Sequence, residues 1–447
     1  MTTSATPPRR AARLHRRIAA TVAALTLSTV ALTGCAADSS TTAADTAAGG
    51  TVWDSSSVHE VSIEIEESAL NDALTAYAET GEKEWVTADV TIDGQTISDA
   101  GMRLKGNSSL RGTTTDADAA DLPWLIDLDQ FVDGQDLDGW EAFVIRSNNT
   151  ATSLNEAVAL DLLQEAGLAS EDAVATRFTI NGGDASLRLM IQDLDNTWDE
   201  TNFASDGVLY KSEATGDWTY RGDDPDAYED VFDVEAGEDD YAPLTEFLRW
   251  LEQSSDEEFA EGLADRLDVD AFATYLAFED LIGNFDDIDG PGNNSFLRWD
   301  ADAAQMTVVA WDHNLAFGVT NGGPGEMGAP GGEGGLGGPP PAGDLARPDE
   351  GGPAGSAGEA GGRQGSNVLA ERFLADPGFA ALYDEALTEL QATLLESGAA
   401  QEVLDAWTTV LEEQASDLVD ATAIESDAAQ VASYFDEEAA TGSFRDG

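Results

Sequence analysis

The stretch that decides the fold is Asn284–Asn294, which reads NFDDIDGPGNN, together with Trp311–Gly318, which reads WDHNLAFG. Between these motifs, Ser295–Trp299 and Met306–Trp311 are apolar, strand-like segments. Asp300–Ala303 separates the two segments and is typical of a turn. The sequence therefore predicts a β-hairpin with an acidic, Gly/Asn-rich loop before it and an aspartate directly after it.

The register of this hairpin brings two polar segments together. A turn centred near Asp302 and Ala303 in an antiparallel pair places Asn293 opposite Asp312. The open end of the hairpin then gathers carboxylate and amide oxygens. These are hard ligands, and they suit Mg²⁺ that carries phosphates.

Two other interpretations of the acidic loop can be compared with this one. The first is a turn-rich loop whose Asp and Asn side chains satisfy nearby backbone groups. The second is a calcium loop of the EF-hand type, with Gly290 at its sixth position. That alignment would put Phe285 and Phe296 at the first and last ligand positions, where a side-chain oxygen is required. The EF-hand interpretation is therefore excluded.

A cluster of cations follows a strand earlier in the chain. In Gly101–Ser109, which reads GMRLKGNSS, alternation puts Arg103 and Lys105 on one face, and a turn of small residues follows. Two cations beside such a turn can hold phosphate oxygens, while pairing with some of the many carboxylates is the alternative. Lys211 ends the apolar segment Val208–Lys211 and either contacts phosphates or lies at the surface. The candidate phosphate contacts are Arg103, Lys105, Asn107, Ser108 and Lys211.

The charge balance excludes several classes of protein. The 447 residues include 21 Lys and Arg against 87 Asp and Glu, a net charge of −66. We expect no nucleic-acid partner, because phosphate backbones require a surface of the opposite sign. Beyond the first 34 residues the only histidines are His59 and His313. A His-rich metal site or a conventional His-centred triad is therefore not expected.

The start of the chain has the pattern of a lipoprotein signal. Its first 34 residues contain five arginines and no acidic residue, and Ile18–Leu32 is an apolar run. This pattern is typical of a secretory signal rather than of a membrane-spanning helix. Leu32-Thr-Gly-Cys35 looks like a lipobox, so we expect Cys35, the only cysteine, to be lipidated, with an ordinary signal as the alternative. The protein is then expected outside the cytoplasm, lipid-anchored to a bacterial cell membrane.

Composition divides the rest of the chain into four parts. After the signal peptide 1–34, residues 35–57 are rich in Ala, Ser, Thr and Asp and are predicted to form a flexible tether. Residues 58–320 form the first segment of the folded domain. Residues 321–367 are dominated by Gly, Pro and Ala and are predicted to be a disordered insertion, because they cannot bury enough apolar surface. Residues 368–447 complete the same domain.

Local patterns predict strands early in the chain and helices later. Alternation at Val58–Ile65 indicates a strand, and Glu67–Thr80 is helix-like. Ser153–Glu156 has the pattern of a capping box, which predicts a helix to about Ala166. Further helices are predicted at Leu244–Gln253, Asp256–Leu267, Asp270–Leu281, Val368–Leu374, Phe379–Leu395, Ala400–Val419 and Ala428–Phe435.

Four motifs, in this order along the chain, resemble those of the spore coat protein H (CotH) kinase family. The resemblance covers roughly residues 58–435, and the Gly/Pro-rich insertion after the last motif also looks like members of this family. It implies an α+β, atypical protein-kinase-like fold with two lobes, strand-rich in its N-terminal part and helix-rich in its C-terminal part. It also implies a secreted or surface kinase that uses ATP and Mg²⁺ or Mn²⁺ to phosphorylate Ser or Thr of a protein substrate. The motifs are Met102–Ser109, Leu209–Lys211, Asn284–Asn294 and Trp311–Gly318.

The resemblance also implies roles for individual residues. Asp286 would accept or orient the proton of the substrate hydroxyl, and Asp312 would bind metal with Asn293 or Asn294. The catalytic loop of protein kinases spaces its Asp and Asn five residues apart. Here only Asp289 and Asn294 have that spacing, so Asp289 can share the catalytic role. The cations that would neutralise the ATP phosphates are Arg103, Lys105 and Lys211.

One departure from the family pattern keeps a second function open. Many relatives carry a glutamate after the apolar strand that precedes Lys211, where this chain has Gln192. Either Asp193 replaces that glutamate or the site is weakened. A catalytically inactive surface binding or adhesion lipoprotein is therefore the alternative to a kinase.

Overall fold

Seven strands from the first part of the chain close into a barrel in the computed structural model. Around the barrel the strands follow their order in the chain, except that the seventh strand lies between the fifth and the sixth. Neighbouring strands are antiparallel except at the closure, where the sixth strand runs parallel to the first. The strands are β1 (His59–Ile65), β2 (Val86–Ile92), β3 (Gln95–Leu104), β4 (Trp124–Asp127), β5 (Ala142–Ile145), β6 (Ala173–Ile180) and β7 (Ser186–Gln192).

The structure describes most of the chain, and the described residues lie within one unit, Gly50–Gly447. No helix among them combines the length and the apolar character needed to span a bilayer. Cys35, Asp289, Asn293 and almost all of the predicted insertion lie outside them. The described residues are 51–115, 117–213, 217–288, 290, 294–320 and 367–435.

Alternating apolar residues fill the barrel. On β1 the side chains of Val61, Ile63 and Ile65 are buried, while the intervening Ser62 and Glu64 are not. Phe143 and Phe178 complete the same core from β5 and β6. Because alternate side chains of a strand point to opposite faces, one face of β1 fills the barrel and the other faces outward. β5 and β7 are buried on both faces.

The folded part begins before Val58. Val52 is buried, and its backbone N–H donates to Asp138 at 3.0 Å. The Trp53 ring stacks on Phe143 with 5.5 Å between ring centroids. These contacts place residues 51–57 against the barrel, although composition assigned them to the tether.

A second, four-stranded antiparallel sheet carries the predicted hairpin. Ser295 pairs with Ala310 and Asp300 with Gln305, which confirms the register expected from the sequence. The turn is fixed by Asp300, whose Oδ1 accepts 2.8 Å hydrogen bonds from the backbone of Asp302 and Ala303. The strands are β8 (Gly207–Ser212), β9 (Phe232–Ala236), β10 (Ser295–Asp300) and β11 (Gln305–Ala310), in the order β11-β10-β8-β9.

Ten α-helices occur in the described part of the chain, and seven of them follow β9. Glu67–Thr80 is helical with the predicted bounds. The predicted helix Phe379–Leu395 is an α-helix that continues as a π-helical stretch, Gln391–Glu396. The helices are α1 (Glu67–Thr80), α2 (Leu154–Glu165), α3 (Asn196–Asn202), α4 (Ala242–Gln253), α5 (Asp256–Gly262), α6 (Val269–Ile282), α7 (Val368–Ala375), α8 (Pro377–Leu390), α9 (Ala399–Gln414) and α10 (Ala421–Ala432).

The capping box predicted at the start of α2 is wrong. Ser153 does precede the helix, but it has φ 56° and makes no side-chain cap hydrogen bond. Glu156, which the pattern assigned to the cap, instead forms an ion pair with Arg146 at 2.6 Å. Arg146 carries a positive charge that compensates the buried carboxylate, which a neutral backbone N–H cannot do.

These elements confirm a mixed fold with strands first and helices later, as expected for the α+β class. The closed seven-stranded barrel was not predicted. The two-lobed, kinase-like arrangement remains a prediction, as do the domain boundaries.

Candidate functional site

Asp312 lies at the open end of the hairpin, directly after β11 and Trp311. Its backbone has φ 69° and ψ 57°, in the left-handed region, which turns the chain sharply into a short 3₁₀ helix, His313–Leu315. Asn294 immediately precedes β10, and the Ser295–Ala310 pair places it at the same end of the sheet. The hairpin therefore brings Asn294 and Asp312 to its open end, as predicted.

Asp286, on the loop that follows α6, lies at the same open end of the hairpin. The Asn294 Nδ2 group donates to Asp286 Oδ2 at 3.1 Å, so the two ends of this loop are joined directly. The Ile288 backbone N–H donates to the Tyr275 hydroxyl at 3.0 Å. A Cβ on Gly290 would collide with the backbone at Phe285 and Asp286, so a close chain crossing requires glycine there. These contacts position Asp286 within the described part of the loop.

Arg146 holds Asp312 in place. One guanidinium nitrogen, Nη2, donates to Asp312 Oδ1 and also to Glu156 Oε1, the latter at 2.6 Å. Burial alone would lower the pKa of Arg146, but the two carboxylates outweigh burial and raise it. Burial raises the pKa of Glu156 against the opposing field of Arg146. Arg146 therefore stays charged and shares that charge between the two carboxylates.

Trp311 connects Asp312 to the cations of β3. The Lys105 Nζ atom lies 5.5 Å from the centre of the Trp311 ring, and Arg146 Cζ lies 5.7 Å from it. Both distances are in the range of cation–π contacts. Lys105 therefore belongs to the same site as Asp312, although 207 positions separate them in the chain.

Asp193, and not Gln192, faces the site. Asp193 Oδ1 lies 2.5 Å from Lys105 Nζ. Gln192 is buried on the other side of β7, where its amide donates to Asp172 Oδ2 at 3.0 Å and accepts from the Asp172 backbone at 2.8 Å. Asp193 therefore contacts a cation of the candidate site, and its replacement of the family glutamate remains a prediction.

The other predicted phosphate contacts differ in their surroundings. Lys211 lies 3.5 Å from Glu213, and burial lowers its pKa less than the surrounding carboxylates raise it. The Arg103 guanidinium lies 4.9 Å from the centre of the Trp85 ring. Asn107 and Ser108 are exposed at the start of a 3₁₀ turn, so their phosphate contacts remain predictions.

Comparison with known protein families agrees with this geometry. A family model described as CotH kinase protein matches residues 102–439, most of the chain. The chain belongs to the CotH kinase family. No curated protein matches it. The match contains Lys105, Asp286, Asn294 and Asp312, and it begins one residue before Arg103.

In this CotH family member, one buried carboxylate contacts both the loop that carries Asp286 and the segment that follows Asp312. Glu279 on α6 accepts from Asn284 Nδ2 at 2.9 Å and lies 3.1 Å from His313 Nε2. Burial lowers the pKa of His313, but Glu279 and its neighbours outweigh burial and raise it. Asn284 begins the loop of Asp286, and His313 follows Asp312. Glu279 therefore fixes the loop and the hairpin end relative to each other.

Tyr434, just after α10, packs against Gly283 and Gly318. These glycines lie at the two ends of the stretch that contains Asp286 and Asp312. A Cβ on Gly283 would lie 2.6 Å from the Tyr434 ring, and one on Gly318 would collide with its hydroxyl. The Gln430 side chain also donates to the Phe317 carbonyl at 2.8 Å. Both glycines have positive φ, so the chain turns closely around this tyrosine where it enters and leaves the site.

The donors at the hairpin end fit a magnesium ion that is bound mainly by phosphates. In the described residues no group of three or more His, Cys, Asp or Glu could hold a metal by itself. Asp312 keeps one oxygen outside its contact with Arg146, and Asn294 keeps its amide oxygen. Mg²⁺ commonly takes one or two carboxylates and completes its shell with water and substrate phosphates. Asp312 and Asn294 therefore form a donor set that substrate phosphates and water would complete.

Sequence reasoning missed three residues of this arrangement: Arg146, Glu156 and Glu279. Arg146 ends a short strand and had no motif around it. Glu156 was assigned to a helix cap, and Glu279 was treated as part of an apolar helix. A glutamate inside an otherwise apolar helix was the available signal for Glu279, because a buried carboxylate requires a partner.

Proposed function

We propose that this CotH family member is an ATP- and divalent-metal-dependent protein kinase that transfers the γ-phosphate to Ser or Thr of secreted or cell-surface proteins. The observation that carries the proposal is the Trp311 ring, which contacts Lys105 and Arg146 beside Asp312. Cations and carboxylate and amide oxygens therefore lie together at the open end of the hairpin, which supports the proposal. Phosphoryl transfer depends on that combination.

The residues have separate tasks in this reaction. Asp312 and Asn294 would hold Mg²⁺ or Mn²⁺, with Asn293 as a further candidate, and Asp289 could share the catalytic role of Asp286. The bound metal would neutralise charge on the phosphates. Lys105, Lys211 and Arg103 would bind the phosphate oxygens, while the exposed Asn107 and Ser108 would contact them from the adjoining turn.

Asp286 acts on the acceptor. It takes the proton of the Ser or Thr hydroxyl as the hydroxyl oxygen bonds to the γ-phosphorus. The bond between that phosphorus and the β–γ bridging oxygen breaks, and ADP leaves with the electron pair. The hydrogen bond from Asn294 orients the Asp286 carboxylate for this step.

One observation favours the alternative, a surface binding or adhesion lipoprotein without catalysis. Asp312 and Lys105 already have charged partners inside the protein, Arg146 and Asp193. A site whose key charges are satisfied internally can persist without a ligand, because no charge is left uncompensated.

Calorimetric titration of ATP with Mg²⁺ or Mn²⁺, together with phosphate transfer to a Ser/Thr protein acceptor or to the chain itself, separates the two. The kinase proposal expects metal-dependent ATP binding and formation of phosphoserine or phosphothreonine. Absence of nucleotide binding with both metals would support the adhesion function instead.

We also propose that the protein is anchored outside the cytoplasm through a lipid on Cys35. The sequence Leu32-Thr-Gly-Cys35 supports this. Mass spectrometry of membrane-extracted protein should find an acylated Cys35 at the N-terminus, and Cys35→Ala should release the protein from membranes. Complete membrane retention of Cys35→Ala would contradict the anchor.

A further inference from the structure

Lys83 and Arg103 form no ion pair in the described part of this very acidic chain, although Glu213 acts electrostatically on Lys83 and Arg103 acts on Asp233. Within that part of the chain, Lys83 also forms no side-chain hydrogen bond. The Arg103 Nε atom is buried and has no hydrogen-bond partner there. The sequence has 87 acidic residues against 21 basic ones, so an unpaired cation is not explained by a shortage of carboxylates.

The register of β2 and β3, continued beyond its last pair, places Lys83 across from Lys105 and diagonal to Arg103. Val86 pairs with Met102, so continuing the antiparallel ladder puts Trp85 beside Arg103 and Lys83 beside Lys105. The contact between the Arg103 guanidinium and the Trp85 ring, at 4.9 Å, shows that the two chains are still adjacent there. Because Lys83 and Trp85 are two residues apart, they lie on the same side of the chain.

The electrostatic surroundings agree with this placement. Burial lowers the pKa of Lys83, and Arg103, Lys211 and Lys105 lower it further, while Glu213 opposes them. Three positive neighbours therefore act on one ammonium group. Lys105 and Lys211 each have a carboxylate nearby, Asp193 at 2.5 Å and Glu213 at 3.5 Å. An anion bound between Lys83 and Arg103 would relieve the remaining repulsion.

We propose that Lys83 and Arg103 form a phosphate subsite that binds the phosphate chain of a nucleoside triphosphate next to Lys105. The assignment to a nucleotide rests on the proposed kinase function, whereas the anion site itself rests on the unpaired cations. Lys83 precedes the CotH kinase match, which begins at residue 102, so it adds a contact from outside the matched region.

The test is calorimetric titration of the full chain with sodium tripolyphosphate in EDTA, so that neither a base nor a metal contributes. Lys83→Gln should weaken binding roughly tenfold, the loss expected for one charge-assisted hydrogen bond. Lys83→Arg should stay within about twofold, because the charge is kept. Arg221→Gln removes one positive charge from an exposed ion pair with Asp217 and should leave affinity unchanged.

Two results would overturn the subsite. One is equal tripolyphosphate affinity in wild type and Lys83→Gln. The other is a loss in Lys83→Gln that appears only with a phosphoserine peptide, which would assign the cations to a phosphorylated protein instead. Thermal melting of each variant shows whether it is folded, and Lys83→Arg provides a folded comparison if Lys83→Gln is unstable.

The same titrations separate this inference from the proposed function. Tripolyphosphate binding that depends on Lys83, without phosphate transfer from ATP, supports the subsite and counts against the kinase. Phosphate transfer that is unchanged in Lys83→Gln, together with unchanged tripolyphosphate binding, supports the kinase and overturns the subsite.

Discussion

Arg146 and Asp312 form a half-buried contact in which the guanidinium Nη2 donates to the aspartate Oδ1. The same nitrogen also donates to Glu156, so Arg146 keeps a partner if Asp312 turns to a metal. Asp312 is thus positioned before any ligand binds. Preorganisation of this kind removes the free-energy cost of ordering a charged side chain during the reaction.

Replacing Asp312 by Asn should abolish metal-dependent ATP binding and turnover together, because the substitution removes the negative charge that attracts the metal. Asparagine tolerates the left-handed backbone found here, so the variant should fold. Calorimetry with Mg²⁺–ATP and a transfer assay measure both effects. Asp302→Asn, with the same charge change in the exposed hairpin turn, should behave as wild type. Unchanged ATP binding in Asp312→Asn would show that Asp312 does not hold the metal.

Replacing Asp286 by Asn should leave ATP binding intact and reduce turnover at least about a hundredfold, the low end of a general-base contribution. The amide oxygen of the new side chain can still accept the hydrogen bond from Asn294, so the loop should keep its course. Steady-state rates and ATP titration give the two quantities. Turnover close to that of wild type would transfer the catalytic role to another residue, with Asp289 as the next candidate.

Replacing Arg146 by Met should lower the free energy of unfolding by about 3–5 kcal/mol, because Glu156 would be left buried without its partner. The double variant Arg146→Met/Glu156→Met should recover part of this loss, since it removes the stranded carboxylate as well. Urea unfolding of the two proteins measures the difference. A double variant that is less stable than the single one would show that the unpaired Glu156 is not what destabilises Arg146→Met.

Glu171 should make stability depend on pH. Burial raises its pKa to about 7 from an ordinary value of 4.5, with His313, Glu156 and Arg146 acting on it as well. The native state therefore keeps a proton that the unfolded state loses, and stability should fall as pH rises from 4.5 to about 7.

Glu171→Gln removes the contribution of this carboxyl group to the pH dependence of stability. The difference in unfolding free energy between variant and wild type should grow by about 3 kcal/mol across that pH range, in favour of the variant. Urea unfolding at a series of pH values tests it. Glu171 helps to raise the pKa of His313, so part of the difference comes from this histidine. Glu165→Gln, at an exposed position of α2, should show no such trend, and an equally flat profile for Glu171→Gln would contradict the prediction.

Replacing Gly318 by Ala should destabilise the protein through a collision with the Tyr434 hydroxyl, in addition to the strain of a positive φ. Gly398→Ala separates the two effects, because Gly398 also has positive φ but nothing within 4 Å of a new Cβ. Thermal unfolding should show a larger loss for Gly318→Ala. Adding Tyr434→Phe should restore part of it, and equal losses at both glycines would show that Tyr434 can move aside.

The hairpin register could be predicted because it depends on neighbouring residues. Apolar segments on either side of an Asp-rich turn leave one arrangement in which Ser295 meets Ala310. The bounds of α1 follow from local periodicity for the same reason. Asp286, Asn294 and Asp312 were likewise accessible, because they flank these local elements.

The barrel closure and the Arg146 contacts could not be predicted in this way. β6 lies beside β1 although more than a hundred residues separate them, and no local pattern encodes a parallel pair of that kind. Glu156 has the same sequence pattern whether it caps α2 or pairs with Arg146. Burial decides between these outcomes, and burial depends on the whole fold.

The packing of Tyr434 against Gly283 and Gly318 makes the site dependent on the order of synthesis. The ribosome completes the loop and the hairpin before it makes α7 to α10, so every candidate catalytic residue exists before the tyrosine that braces them. A nascent chain that stops short of α10 has the chemistry but lacks the support that holds it in position. The support of the candidate site is therefore the last part of it to be made.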